Sequence, residues 1–310
     1  MKVLIKCIIF IIIVGVIIFN LNGIYTINIF SYVGEWSDSS TIANFYNEAK
    51  DSIDVLVLGT STTSNGVQPA VLWNEQQITA YNLSTEQQYS LAAYYLLMEA
   101  LKYQHPNVVV INARWVTAQY DTEEAAVDSG SGALHLSLDF MRLSGVKIRA
   151  ALDIASKSDT QSSMDYILPL YKYHSREDLT KNDFNFSYIY EQHALKGSCI
   201  QLEAHEIELY PFTIEKVPPA AYDYSGISAV YAEKMIELCE ANGINVLLLS
   251  LPVTGWDQTQ HAAVQNFADT HSVSYLDMNM SDLIEKNQID PKTDFADGNH
   301  ENIFGSYKTS

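Results

Sequence analysis

Cysteine is scarce in this chain, three in 310 residues, and that scarcity excludes a disulfide-stapled scaffold. No pair of cysteines or histidines has the spacing of metal ligands, so neither a metal nor another cofactor is expected. Cys199 and Cys239 could bond in an oxidising compartment. Cys239, however, shares a helical pattern with Met235, Ile236 and Leu238, which favours burial as a free thiol. Basic residues are also few, 18 against 37 acidic ones, a formal net charge of −19. Such a surface repels nucleic acid and anionic lipid. No glycine-rich phosphate loop follows a strand, which leaves nucleotide use unsupported. Repeats and low-complexity tracts are missing too, and 47% hydrophobic with 18% charged residues is the composition of a globular protein.

One long apolar run is present. Lys2 and Lys6 precede an unbroken stretch from Cys7 to Phe19, and only Asn20 and Asn22 interrupt the approach to Ile24 and Tyr25. Residues 3–25 suffice to cross a bilayer, which takes about 20 apolar residues, and the lysines favour an inside N-terminus. A cleaved signal peptide is the rival reading, but Phe19-Asn20-Leu21-Asn22 fits a small-x-small cleavage site poorly. The expected organisation is a signal-anchor over 1–25, a juxtamembrane lead-in over 26–50 and one domain over 51–310. Two of the 18 basic residues and none of the 37 acidic ones lie in the anchor, so the outer part carries −21.

Strands and helices alternate in the domain. Ile53 to Leu58 and Val108 to Ile111 are short continuous apolar runs, the pattern of buried parallel strands. A short strand is expected at 80–83, with a helix capped by Ser84 or Thr85 running to about 103. The C-terminal third repeats the alternation: helix 226–241 stopped by Gly243, strand 244–251, helix 257–270, strand 273–276. This predicts a parallel sheet with helices on both faces, its sites at the C-terminal ends of the strands. Between about 113 and 219 lies an insertion with one expected helix, 137–154, and then an aromatic, irregular stretch read as a cap region.

The chemistry is carried by three residues. Ser61 follows the first strand and Gly59, so its hydroxyl can stand on a tight turn with its own backbone N–H facing the same space. Asp297 precedes His300 by three residues, so carboxylate and imidazole leave one turn of backbone together; none of the other seven histidines has Asp at that offset. A serine hydroxyl needs a base, the base needs an orienting carboxylate, and the tetrahedral intermediate needs donors.

On these residues the chain resembles the SGNH/GDSL-type hydrolases, in the membrane-anchored branch that serves cell-envelope polymers. Ser52 to Ser61 with Gly66-Val67-Gln68-Pro69 resembles the nucleophile block. Tyr81-Asn82-Leu83-Ser84 resembles the second block, and Asp294-Phe295 with Asp297-x-x-His300, Asn302 and Gly305 the last. Tyr173-His174-Ser175-Arg176 with Asp178 and Asp183-Phe184 resembles a recurrent segment of bacterial relatives. Gly305 to Thr309 resembles the opening of a helix that buttresses the His loop.

The resemblance implies a three-layer α/β/α sandwich and assigns Ser61 as nucleophile, His300 as base and Asp297 as orienter. It makes Ser84, Asn82 and Asn112 candidate oxyanion donors and Arg114 a possible substrate clamp. Asn112 capping a strand end and Arg114 pairing with an acid are the structural alternatives. The implied activity is an extracytoplasmic acyl-ester hydrolase or acyltransferase on envelope glycan or polymer esters, with envelope-biosynthesis proteins as possible partners. The −21 charge tilts the acceptor toward neutral glycans. The alternatives are a non-catalytic glycan-binding or scaffolding protein on the same fold, and a broad carboxylesterase for small esters.

Overall fold

The computed structural model describes residues 2–26, 38–120, 122–186, 190–213 and 222–310. Positions 27–37 of the lead-in and the expected end of the insertion near 219 lie outside them. The N-terminal run forms α1 (Lys2–Tyr25), an apolar helix whose most apolar 18 residues have a mean hydropathy of 2.9, long enough to cross a membrane. Next, α2 (Asp38–Phe45) sends Ile42 and Phe45 into the main core against Tyr81.

Each apolar run then becomes a strand and each strand feeds a helix. β1 (Val55–Leu58) leads to α3 (Ser61–Gly66) and α4 (Pro69–Gln76); β2 (Ala80–Asn82) to α5 (Ser90–Ala100); β3 (Val108–Asn112) to α6 (Arg114–Thr117). The insertion adds α7 (Glu123–Ser129), α8 (Ser131–Leu138), α9 (Gly145–Ser156), α10 (Ser163–Ile167) and α11 (Leu170–Tyr173). After it come α12 (Ile227–Ala241), β4 (Asn245–Ser250), α13 (Gln258–His271), β5 (Ser274–Asp277) and α14 (Ser281–Lys286). A hairpin of β6 (Phe295–Asp297) and β7 (His300–Glu301) precedes α15 (Ile303–Thr309).

The five strands pair in parallel in the order β2-β1-β3-β4-β5. Alternate side chains serve opposite faces, the period-2 rule of a strand. Leu56, Leu58, Val109, Ile111 and Leu248 join the main core with Leu97 of α5, Ile236 of α12 and Val264 of α13. Val57, Val110 and Leu251 pack on the other face with Val67 and Leu72 beside α3 and α4. The result is a three-layer α/β fold. Its strand order reverses between β1 and β3, and the C-terminal ends of strands flanking such a reversal open a crevice that ligands use.

Two helix expectations differ from the structure, both for local reasons. Residues 137–154 make two helices. The Ser144 hydroxyl accepts from the N–H groups of Val146 and Lys147 to start α9, and the Lys147 ammonium turns back onto the carbonyls of Asp139 and Met141. Residues 84–88 stay outside α5: Gln88 Nε2 donates to the Leu83 carbonyl and Gln87 is left-handed at φ +48°, a side-chain competition that displaces helical bonding. The insertion also feeds the core, through Val127, Leu134, Ile154 and Tyr166.

Candidate active site

The turn after β1 is built for close approach. A Cβ on Gly59 would lie 2.1 Å from Thr63 Oγ1, so only glycine fits there. Thr60 O accepts from both Thr63 N and Ser64 N, which starts α3 with Ser61 as its first residue. The leading N–H groups of a helix have no intrahelical partner, and here they belong to Ser61 and Thr62.

At the other end of the chain, the β6–β7 hairpin turns through Gly298 and Asn299. Its turn is tied down by Thr254, whose N–H and Oγ1 both donate to Gly298 O, at 2.8 and 2.9 Å. His300 Nδ1 sits 2.8 Å from Asp297 Oδ2, and His300 Nε2 sits 2.8 Å from Ser61 Oγ. Asp297 Oδ1 takes the N–H groups of Asn299 and His300 at 2.7 and 3.1 Å. Partial burial pushes the Asp297 carboxyl up. The bonds from the His300 ring, Asn299 N–H and His300 N–H outweigh it, and its pKa falls below the ordinary value.

Helix α15 ties the two halves together. Asn302 caps it by accepting from Phe304 N and Gly305 N while its amide donates to Glu203 O and Thr293 O. Ser310 Oγ donates to Gly66 O, and Gln68 N donates to Ser310 Oγ. Lys308 pairs with the buried Asp294 at 2.5 Å, and Gly305 leaves no room for a side chain against Asp294 O.

The other sequence candidates divide. Asn82 and Asn112 lie beneath the Ser61 turn with their amide donors in use. Asn82 Nδ2 donates to Thr63 O and Val67 O, and Asn112 Nδ2 to Thr63 Oγ1 and Thr60 Oγ1, so both hold α3 in place. Ser84 N donates to Asn82 Oδ1, and its buried hydroxyl has no partner among the described residues. Arg114 instead lines a cleft of about 540 Å³ together with Ser61 and His300, and its Nη1 donates to Asn299 Oδ1 at 3.3 Å.

The cleft has further walls that the sequence did not announce: Tyr89 stacked on Tyr120, Trp115, Trp256 and Gln260. Asn299 was legible only as a neighbour, lying between Asp297 and His300. Behind Trp256 lies a second Asp–His contact, His261 Nδ1 to Asp277 Oδ2 at 2.8 Å, joined by 16 residues of chain rather than three. Among the described residues no group of three or more His, Cys, Asp or Glu side chains is placed to hold a metal.

No protein-family model and no curated protein matches the chain. Among solved structures it is similar to a protein from Desulfitobacterium hafniense DCB-2 ascribed to the G-D-S-L family of lipolytic proteins. The two are 13% identical, aligned over 82% of this chain and 97% of that one with a TM-score of 0.35.

Proposed function

We propose that the protein is a serine acyl-ester hydrolase or acyltransferase, acting outside the cytoplasm on glycan or polymer esters of the cell envelope. The observation that carries this reading is the unbroken contact line from Asp297 Oδ2 through both nitrogens of His300 to Ser61 Oγ, opening into the cleft. Ser61 Oγ attacks the ester carbonyl carbon while His300 Nε2 takes the hydroxyl proton, and Asp297 steadies the imidazolium. The N–H groups at the head of α3 receive the oxyanion. Collapse expels the alcohol, protonated by His300, and leaves an acyl group on Ser61. Water or an acceptor hydroxyl, deprotonated by the same nitrogen, then releases it.

A retained anchor fits this reading better than a cleaved leader, because the domain grips the end of α1. Arg176 donates to the carbonyls of Tyr25 and Thr26 and pairs with Asp183 and Asp178. Leu170 N–H donates to Asn22 Oδ1, and Gly23 lies against the Phe186 ring. Arg176, Leu170 and Phe186 thus form a socket for the end of the helix.

The test uses the full chain in detergent. A fluorophosphonate probe is expected to label the wild type and not Ser61→Ala, with turnover of 4-nitrophenyl acetate lost in parallel. Equal labelling of the two proteins removes Ser61 as nucleophile. The engagement of the Asn82 and Asn112 amides in holding α3 favours the second reading, a glycan-binding protein without turnover. Glycan binding with no labelling of either protein would establish it.

A further inference from the structure

The sequence tilt toward a neutral substrate rests on the charge of the whole outer surface, and the cleft itself is different. Among the described residues Arg114 is the one lysine or arginine that lines it. It begins α6 at the end of β3, so it faces Ser61 across the point where the strand order reverses. Its backbone N–H donates to Asn112 Oδ1 at 2.9 Å and its Nη1 to Asn299 Oδ1 at 3.3 Å, which holds the guanidinium one residue from His300.

Carboxylates do not neutralise it. No described Asp or Glu lies within ion-pair distance of Arg114, although Glu86 shares the lining. Withdrawal from water lowers the guanidinium pKa, with no neighbouring charge offsetting it. A half-buried charge without a counter-ion is costly, and proteins keep such groups where a ligand supplies the partner. Nor does the −19 of the whole chain forbid an anion here. Surface charges are screened beyond about 8 Å at physiological ionic strength, whereas a contact with the guanidinium is direct.

We infer that Arg114 determines specificity by receiving an oxyanion, carboxylate or phosphate, carried by the substrate beside its scissile ester. The inference rests on the hydrolase reading for what is turned over, but not for what is bound. A planar guanidinium matches either group with two parallel hydrogen bonds. The cleft is then selective for acylated sugars bearing one acidic group. The charge of the outer surface disfavours only long polyanions.

Binding to the full-length Ser61→Ala protein, measured by calorimetry, tests this with three probes: methyl glucuronoside, glucose 6-phosphate and the uncharged amide of the glucuronoside. At least one anion is expected to bind about tenfold more tightly than the amide, the size of a charged hydrogen bond. The arm that wins identifies carboxylate or phosphate. Adding Arg114→Gln should erase the preference, and Arg114→Lys, which keeps the charge but not the fork, should reduce it at least about threefold. Equal binding of amide and both anions overturns the inference without any Arg114 variant, and so does a preference that survives Arg114→Gln. Because the nucleophile is absent, anion preference combined with no ester turnover in the parent protein keeps this inference and sinks the hydrolase. Turnover without preference does the reverse.

Discussion

Two aspartate–histidine pairs flank one cleft, and in each a carboxylate oxygen sits 2.8 Å from His Nδ1. At Asp297–His300 the carboxylate side chain is 56% exposed and the far nitrogen meets Ser61. At Asp277–His261 the carboxylate is fully enclosed. Its Oδ2 also accepts from Trp256 Nε1 and Tyr275 OH, and its Oδ1 takes both the N–H and the side-chain amide of Asn279. Burial alone would raise the Asp277 pKa, but the bonds from His261, Asn279 and Trp256 outweigh it and hold the carboxyl below its ordinary value. Rings of Phe212 and Tyr275 pack on His261. Pairing therefore does not define a role. What the second imidazole nitrogen meets does, and the buried pair acts as a rivet behind Trp256.

The largest contrast comes from deleting each imidazole. His300→Ala should lower kcat about a millionfold, as loss of a triad base does, with thermal stability nearly unchanged, because His300 is held from the hairpin and not from the core. His261→Ala should do the opposite, lowering the melting temperature while retaining fluorophosphonate labelling at Ser61. If both variants lose labelling and stability alike, the two pairs are not separable units.

The carboxylates give the next step down. Asp297→Asn leaves the hairpin intact but presents the wrong tautomer to Ser61, and kcat should fall about 10⁴-fold with little change in KM. Asp277→Ala strips the acceptor from His261, Trp256, Tyr275 and Asn279 together, which should cost about 3–5 kcal/mol of stability by denaturant unfolding. An Asp277→Ala protein as stable as wild type would show that these donors find other acceptors.

These contrasts also mark where the sequence could be read. β1, β3 and β4 were visible because a strand buried on both faces needs an apolar residue at every position, and Val55–Leu58 and Val108–Ile111 obey that locally. Ser61, Asp297 and His300 were visible for a related reason: two of them are three residues apart and the third follows the first strand. Arg114 and Asn299 stand 185 positions apart, and only the sheet order brings them together. The break between α8 and α9 had a signal, Ser144 before Gly145, outweighed by the apolar period running through it. The roles of Asn82 and Asn112 had none, since whether a side-chain amide faces the cleft or the underside of α3 depends on packing.

A pH slope, instead of a lost activity, separates the exposed pair from the scaffold under it. Glu301 follows His300 in β7 and is buried among Gly66 of α3, Thr309 of α15 and Asp294. Its Oε2 accepts from Thr309 Oγ1 at 3.0 Å, and its Oε1 has no partner among the described residues. Lys308, the nearest described cation on α15, is taken by Asp294. Burial, with a further push from Asp294 against the bond from Thr309, raises the Glu301 pKa to about 8. The folded protein therefore keeps this proton up to about pH 8, whereas the unfolded chain releases it near the ordinary 4.5. Stability is fully present below that lower value and is lost as pH rises toward 8, by at most about 1.4 kcal/mol per pH unit. Glu301→Gln keeps the shape and an acceptor for Thr309 without the titration, so its melting temperature should vary less between pH 5 and 8 than that of the wild type. Identical slopes for the two proteins would mean that Glu301 is already ionised in the fold. Asp297, with its pKa below the ordinary value, gives no slope in that window; its contribution is lost as pH falls through the acid range, opposite in sign to that of Glu301.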